Sequence, residues 1–315
     1  MVGLGADRGG VYEQVGALDA VGASQLREPL VPARRRSQAG VAELEERGID
    51  SLWLSELVYS PLVDPFVGMA YALSRTKSLK VGTGVAVLPG RSPILVAKQL
   101  ASLARLAPKR VLPVFGLSPA RPNERVAFPV PEGKRGAVFD ESLEVLRRLL
   151  REESVTFHGD FFDIEDASIG HPPQPPLDIW LGGSAPAGLR RIGRYADGWL
   201  ASFITPDEAA AGVEAIKSAA REAGREIDPD HYGISVPIAF GPIPEQLVTF
   251  IKMRRKNIPL DSLIPQGWDE AQKLIGRYIE AGLTKFVVRA SGPDGAAAPE
   301  DFLSGFIREL LPLQT

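Results

Sequence analysis

Apolar residues recur along the chain with two alternating periods from Ala39 onward. Short apolar runs predict buried strands, whereas longer segments with apolar residues three and four positions apart predict amphipathic helices. The strongest helix is predicted from Gly136 to Arg151, with its leucines on one face and its charged residues on the other. Strands are predicted near Leu52, Val81, Val114, Ile179, Leu200, Ser235 and Val287. This alternation of strands with longer helices indicates βα units and a parallel sheet.

The predicted fold is an α/β (β/α)8 TIM barrel with insertion segments, of which the proline-rich stretch from Val155 to Pro176 is expected to be irregular. A closed barrel needs eight strands and seven are legible, so the first must precede Ala39. Val2-Gly-Leu4 is a poor substitute, so this strand is either hidden by weak propensity or the N-terminus is atypical. We therefore expect an atypical N-terminal segment over residues 1–38 and a barrel domain over residues 39–315. A doubly wound open sheet is the alternative, but no Gly-x-Gly-x-x-Gly follows a strand.

Composition narrows the functional classes. The chain has 315 residues, a formal net charge of -3 and no cysteine, which excludes disulfides, thiolate metal sites and cysteine nucleophiles. It has neither the basic excess nor the basic stripe of a nucleic-acid-binding protein. No apolar run reaches the roughly 18 residues of a membrane span, and no signal peptide is legible. We therefore expect a cytoplasmic enzyme that acts on a small molecule, away from nucleic acid and membranes.

In a barrel, functional groups lie on the loops that follow the carboxyl ends of the strands. Glu56 directly follows a predicted buried strand and could accept hydrogen bonds from the N–H groups of a ligand, or pair with a neighbouring helix or water. Gly84, inside the next strand, predicts a backbone irregularity or the close approach of a ligand between Thr83 and Val87. Arg91, in the loop beyond, is either an anion-binding residue or a solvated cation.

The turn Gly182-Gly183-Ser184 lies between a predicted strand and a predicted helix. Paired glycines leave room for an anion near the free N–H groups of the helix, and the helix dipole favours a phosphate there. Ser184 is the predicted N-cap of this helix, with Pro186 in the first turn. The alternative is an ordinary strand-to-helix turn with a capping serine.

Side chains that could do chemistry unaided are scarce. His158, His171 and His231 do not have the spacing of metal ligands, so no metal site is predicted. The sequence also contains neither a Gly-x-Ser-x-Gly elbow nor a P-loop, and the catalytic residues stay unassigned. A barrel with a phosphate turn but few reactive side chains favours chemistry through a bound cofactor.

Several short stretches occur together in the order and spacing of a known family. They include Gly48-Ile-Asp-Ser-Leu-Trp-Leu-Ser-Glu56, Leu79 to Pro93, Phe115-Gly-Leu117, Phe139-Asp-Glu141, Ile179-Trp-Leu-Gly-Gly183 and Ala196-Asp-Gly-Trp199. In these stretches the chain resembles the luciferase-like monooxygenase superfamily of flavin and deazaflavin oxidoreductases, most closely an actinobacterial-type subgroup that depends on coenzyme F420. The resemblance is good over residues 41–203 and looser elsewhere.

The resemblance implies a TIM barrel that binds a flavin or deazaflavin ring in its mouth, with an acidic residue beside the ring and a bulge or cis peptide behind it. The candidate cofactor-binding residues are Glu56, Thr83, Gly84, Val85, Ala86, Gly116, Gly182, Gly183 and Ser184. Leu57 stands where the family often has a histidine, and Ser118-Pro119 where some deazaflavin dehydrogenases have a glutamate. No general acid or base can therefore be transferred from the family, which also suggests a homodimer.

Three functions compete at this point. The leading hypothesis is hydride transfer between coenzyme F420 and a small organic substrate. The alternatives are an FMN-dependent monooxygenase supplied by a separate reductase, and a non-catalytic barrel of the same family. Extra cations such as Arg91 and Arg121 favour F420, because its polyglutamate tail carries additional negative charge.

Overall fold

The structure is a computed structural model that describes residues 2–3, 10–14, 40–291 and 299–314. The strands are β1 Val2–Gly3, β2 Gly10–Gln14, β3 Ser51–Leu54, β4 Lys80–Thr83, β5 Ala86–Val87, β6 Val111–Leu112, β7 Val114–Gly116, β8 Val155–His158, β9 Asp163–Ala167, β10 Trp180–Gly182, β11 Gly198–Ser202, β12 Tyr232–Ala239 and β13 Lys285–Ser291. The helices are α1 with residues 40–46, α2 Pro65–Arg75, α3 Pro93–Leu106, α4 Arg135–Leu149, α5 Pro186–Tyr195, α6 Pro206–Glu222, α7 Glu245–Arg254, α8 Gly267–Glu280 and α9 Pro299–Glu309. Among these described residues, no helix combines the length and the apolar character needed to cross a membrane.

The main sheet closes into a barrel. Its strand order is β5-β7-β10-β11-β12-β13-β1-β2-β3-β4-β6. The two ends of this order join, because β4 and β5 are halves of one wall segment, and β6 and β7 are halves of the next. Eight parallel wall segments result within the described residues, together with the short β1, which is antiparallel to both of its neighbours. The predicted (β/α)8 barrel is confirmed.

The first parallel strand is β2, ahead of the point where the sequence pattern becomes legible. It pairs in parallel with β3 through Glu13 and Leu52, while Val2 and Gly3 of β1 pair with Val288 and Val287 of β13. Of the two alternatives, a strand hidden by weak propensity is the one that the structure supports. Glycine and polar residues have low strand propensity, so Gly10-Val-Tyr-Glu-Gln14 gives little signal by itself.

The insertion after α4 contains a hairpin, so the prediction of an irregular segment is wrong for part of its length. Strands β8 and β9 pair antiparallel outside the barrel. Glu141 of α4 accepts hydrogen bonds from the backbone N–H groups of residues 160–162, at 2.7 to 3.1 Å. The sequence pattern missed the hairpin because a helix side chain stabilises its turn, and neither short strand has strong apolar alternation.

The barrel has two apolar layers, one between sheet and helices and one inside the wall. The inner layer contains Trp53, Val114, Leu200 and Val287, with Val85, Leu112 and Trp180 packed against it. These residues come from six of the eight wall segments and form a floor across the barrel interior. Functional groups above this floor, toward the carboxyl ends of the strands, therefore face the barrel mouth.

The wall segment 111–116 is interrupted at Pro113, which cannot donate a backbone hydrogen bond. The buried Thr83 hydroxyl bridges this break: it donates to the Val114 carbonyl at 2.6 Å and accepts from the Val114 N–H at 2.8 Å. Thr83 therefore holds the wall together directly beneath the mouth.

Candidate functional site

Glu56 lies at the mouth where β3 ends, and it is buried, with 7% of its surface exposed. Its carboxylate accepts a hydrogen bond from the Val87 N–H at 2.7 Å and forms an ion pair with the Arg91 guanidinium. Arg91 also donates to the Val87 carbonyl at 2.9 Å, which fixes the orientation of the pair. Burial raises the pKa of Glu56, while Arg91 and the Val87 N–H partly oppose that rise. Perturbed carboxyl groups of this kind cluster at functional sites.

Arg91 is not the solvated cation that the sequence allowed, and its charge is already compensated by Glu56. Its guanidinium lies between aromatic rings, with centroids of Phe66 and Phe128 at 5.5 and 5.2 Å. Arg121, the other rim cation, donates to the Tyr59 carbonyl at 2.8 Å and lies 3.8 Å from buried Glu124. Both arginines have partners within the protein, so the cations proposed for an anionic tail serve the architecture of the rim.

The backbone between Thr83 and Val87 is irregular, as the sequence predicted. The peptide bond between Gly84 and Val85 is cis, and it separates β4 from β5. The Gly84 N–H donates to the Leu54 carbonyl at 2.7 Å, and the Ser55 hydroxyl donates to the Gly84 carbonyl at 3.3 Å. The Val85 side chain packs against the inner apolar layer and offers an apolar surface above the floor.

Two of the predicted site glycines lie against Val85. A Cβ on Gly116 would lie 2.7 Å from Val85 Cγ2, and a Cβ on Gly182 would lie 3.2 Å from Val85 Cγ1. Any side chain at Gly116 would displace Val85, and one at Gly182 would press on it. The two glycines therefore allow Val85 to occupy the centre of the mouth floor. Thr83 and Ala86 are buried beside them, and the Thr83 hydroxyl is used within the wall.

The turn after β10 is open. Gly183 has a φ of +112°, which favours glycine, and nothing lies within 4 Å of the position that its Cβ would take. The indole N–H of buried Trp199 donates to the Gly183 carbonyl at 2.7 Å and fixes the turn from below. Residues 183–187 are exposed, so space for an anion exists in front of the helix.

The prediction that Ser184 caps this helix is wrong. Helix α5 begins at Pro186, its N-cap is Ala185, and no side chain caps it. Proline at the first helical position shifts the N-cap by one residue, from Ser184 to Ala185, because its fixed φ suits that position. The absence of a side-chain cap leaves the first-turn N–H groups available to a ligand, which fits an anion site better than a capping serine would.

Two arginines lie near this turn: Arg191 is hydrogen-bonded to other protein groups, and Arg190 is exposed. Arg191 donates to the Asp140 carboxylate at 2.5 and 3.3 Å and to the Gly136 carbonyl at 3.2 Å. Arg190 is exposed on α5. The helix N-terminus, rather than the Arg191 charge, is therefore the main feature that this turn offers to a phosphate.

The histidines lie away from the mouth. His158 and His171 are exposed in the insertion, and hydrogen bonding to Asp163 raises the pKa of His158. His231 precedes β12 at the amino end of the barrel, where its Nδ1 contacts the Asp197 carbonyl oxygen at 2.7 Å. Across the described ranges, no group of three histidines or carboxylates is arranged to hold a metal ion.

Sequence reasoning missed three features of the mouth. Trp199 was part of a matched stretch, but only the fold brings its indole to the Gly183 carbonyl. A cavity of about 320 Å³ lies beside Glu56 and Arg91, lined by apolar side chains that include Leu57, Val63 and Phe128. The third feature is Arg289 on β13. Its only indication in the sequence was an arginine near the end of a predicted apolar strand.

Comparison with known proteins places this geometry in a family. The profile described as luciferase-like monooxygenase matches residues 15–260. An uncharacterised protein of Mycobacterium tuberculosis is 39% identical over 165 residues, which cover 52% of this chain and 57% of that protein. The chain thus spans little more than half the length of that relative. The F420-dependent glucose-6-phosphate dehydrogenase of Kineococcus radiotolerans is 24% identical over 309 residues, covering 86% of this chain and 90% of that enzyme.

Solved structures share the fold. An F420-dependent secondary alcohol dehydrogenase in complex with an F420-acetone adduct has a TM-score of 0.73 at 20% identity, covering 89% of this chain and 95% of that one. The oxygenating constituent of 3,6-diketocamphane monooxygenase from Pseudomonas putida, in complex with FMN, has a TM-score of 0.69 at 17% identity, covering 91% and 95%. Because the family profile spans most of the barrel that carries the mouth, this chain belongs to the luciferase-like monooxygenase family.

Proposed function

We propose that this protein is an F420-dependent oxidoreductase that transfers a hydride between the deazaflavin and a small organic substrate. Membership of the luciferase-like family supports a redox enzyme. The similarity to an F420-dependent glucose-6-phosphate dehydrogenase extends over 86% of the chain and favours F420 within that family. The single structural observation that carries the proposal is the open turn at Gly183, which faces an uncapped helix N-terminus.

The residues of the mouth fit a flat ring with a phosphate-bearing side chain. Val85 offers an apolar surface, and Gly116 and Gly182 keep the space around it free of side chains. The exposed turn over Gly182, Gly183 and Ser184 would receive the phosphate through backbone N–H groups. In this assignment Thr83 contributes only its backbone, because its hydroxyl is bonded within the wall.

Glu56 would accept hydrogen bonds from N–H groups at the edge of the ring, and Arg91 would hold its carboxylate in place. When bound, the deazaflavin supplies a ring carbon that accepts or donates a hydride. The protein would contribute mainly by positioning substrate and ring at contact distance, which can lower a barrier by roughly 7–11 kcal/mol. We assign no side chain as general acid or base.

The FMN-dependent monooxygenase with a separate reductase is the second candidate, and the FMN-bound structural neighbour favours it. A non-catalytic barrel is the third. Titration of the purified protein with F420 and with FMN, followed by turnover assays with and without oxygen, separates all three. We expect tighter binding of F420, and reduction of an enone or imine by reduced F420 without oxygen. Tight FMN binding with oxygen-dependent turnover would support the monooxygenase, and binding of neither cofactor would support the non-catalytic barrel.

Gly183→Val tests the phosphate turn. A β-branched side chain at this positive φ would fill the space in front of α5 and should cost at least about 2 kcal/mol of cofactor affinity, the scale of a few charge-assisted hydrogen bonds. Gly170→Val is the matched control, because Gly170 is an exposed glycine at φ +85° with equally open surroundings, in the insertion. Equal cofactor affinity in both folded variants would remove the turn from the site.

Three further expectations stay predictions. We propose a cytoplasmic location, a homodimer, and a boundary near residue 39 between an atypical N-terminal segment and the barrel domain. Cell fractionation tests the first and sedimentation equilibrium the second. Expression of residues 39–315 alone tests the third; since β2 lies in the barrel wall, a stably folded product would show that this wall segment is dispensable.

A further inference from the structure

The described part of the barrel contains a second cationic position at the mouth, with surroundings unlike those of Arg91. Side chains alternate along β13, so that Phe286 and Val288 face the helices while Val287 lies in the inner apolar layer. Arg289 therefore points to the interior, roughly 7 Å above Val287 toward the mouth. It is partly buried there.

Among the residues that the structure describes, Arg289 has no carboxylate partner. Within the ranges that the structure describes, it forms no ion pair or hydrogen bond, and its recorded contact is with the ring of Phe203, whose centroid lies 5.6 Å from the guanidinium carbon. Its strand neighbour at the same level on β12 is Pro237. Loss of water on burial lowers the pKa of Arg289. An unpaired cation in such a place is costly unless an anion joins it.

Phe203 supports the guanidinium in a specific way. It directly follows β11 and has a φ of +53°, a left-handed conformation that a non-glycine residue rarely adopts. Its ring also packs edge-on against Phe250, at a centroid distance of 5.9 Å. A guanidinium attracted to the face of a ring has its N–H groups free for a bidentate contact with an oxyanion.

We propose that Arg289 binds the anionic group of the substrate, so that the substrate is a small organic carboxylate or phosphate. This inference rests on the proposed function. The cofactor phosphate has its own turn after β10, and β13 is three strands farther along the wall, roughly 14 Å away. The second anion at the mouth is therefore assigned to the substrate rather than to the phosphate of the cofactor.

Calorimetric titration with three aryl probes tests the proposal: benzoate, phenyl phosphate and the neutral benzamide. We expect the F420-loaded protein to bind at least one of the two anions at least about tenfold more tightly than benzamide. Arg289→Gln should abolish that preference. Arg221→Gln is the control, because it removes the same charge from an exposed position on α6 and should leave the preference intact.

A wild-type protein that binds neither anion more tightly than benzamide overturns the proposal, as does a preference that survives in Arg289→Gln. Arg289→Lys guards against misfolding of the glutamine variant: it keeps the charge but loses the planar fork, and should weaken binding of the preferred anion while keeping its order over benzamide. The same titrations without F420 separate the proposed F420-dependent function from the proposed anion-binding role of Arg289. Failure to bind F420 defeats the proposed function, whereas the anion preference of the unloaded protein still reports on Arg289.

Discussion

Two carboxylates with little exposed surface, Glu56 at the mouth and Asp197 at the amino end, have opposite surroundings. Asp197 accepts hydrogen bonds from Arg147 at 2.7 and 3.0 Å, from Arg225 at 2.9 Å and from the Ile179 N–H at 3.0 Å. Glu56 has one arginine and one backbone N–H, although its side chain is more buried, at 4% exposed against 15%. The pKa of Asp197 is lowered by its hydrogen bonds and cations, which outweigh burial, whereas burial raises the pKa of Glu56.

The difference shows how one fold uses the same chemical group for two tasks. At the amino end, cations saturate Asp197 and connect α4, the segment after α6 and the start of β10 into one brace. At the mouth, Glu56 is left with incomplete compensation in a partly open site. Saturated carboxylates hold structure, and incompletely compensated ones are available for a ligand.

The largest effect is expected for Asp197→Asn. Removing the charge leaves Arg147 and Arg225 without their shared partner, and breaking a buried pair in this way costs about 3–5 kcal/mol. Urea unfolding should show this loss, while cofactor affinity of the folded fraction stays near that of the wild type. Asp261→Asn, at an exposed position, is the control. A loss below about 1 kcal/mol would show that Asp197 is not a brace.

Glu56→Gln should show the reverse pattern. The amide can still accept from the Val87 N–H, and Arg91 keeps its two aromatic neighbours, so the free energy of unfolding should fall by only about 1–2 kcal/mol. Cofactor affinity should fall by about tenfold or more, because one charge-assisted acceptor is lost. Fluorescence titration of the cofactor measures the second effect. Unchanged affinity combined with severe unfolding would make Glu56 structural.

The smallest effect is the pH dependence of stability. Asp197, with a lowered pKa, contributes stability that is present above its ordinary value of 3.8 and is lost as pH falls through the folded pKa. Glu56 has the opposite sign: its folded pKa lies above 4.5, so the folded state binds the proton more tightly and stability declines as pH rises through that window. Urea unfolding of both proteins from pH 4 to 7 isolates the Glu56 contribution: the free energy of unfolding of the wild type minus that of Glu56→Gln should decrease as pH rises. A difference that increases with pH would contradict the assigned sign.

The sequence by itself determined most of the helices and strands and placed the candidate site residues at the ends of particular strands. Helix α4 was predicted from Gly136 to Arg151 and extends from Arg135 to Leu149, because its apolar spacing is a local signal. Gly84 also predicted an irregular backbone from a local signal, a glycine inside a strand. Local signals failed where a partner is remote: the first barrel strand has weak propensity and is specified by its neighbours, and the β8–β9 hairpin depends on Glu141.

Only the tertiary structure decided which charges meet. The sequence left Arg91 as either an anion-binding residue or a solvated cation, and closure of the wall places it on Glu56, 35 positions earlier. Arg289 gave little signal in the sequence, and closure leaves it in the mouth over Phe203, without a carboxylate partner in the described part of the chain. Periodicity fixes which face of a strand is buried, because that depends on neighbours along the chain. Pairing of charges depends on distances across the barrel, which exist only once the wall has closed.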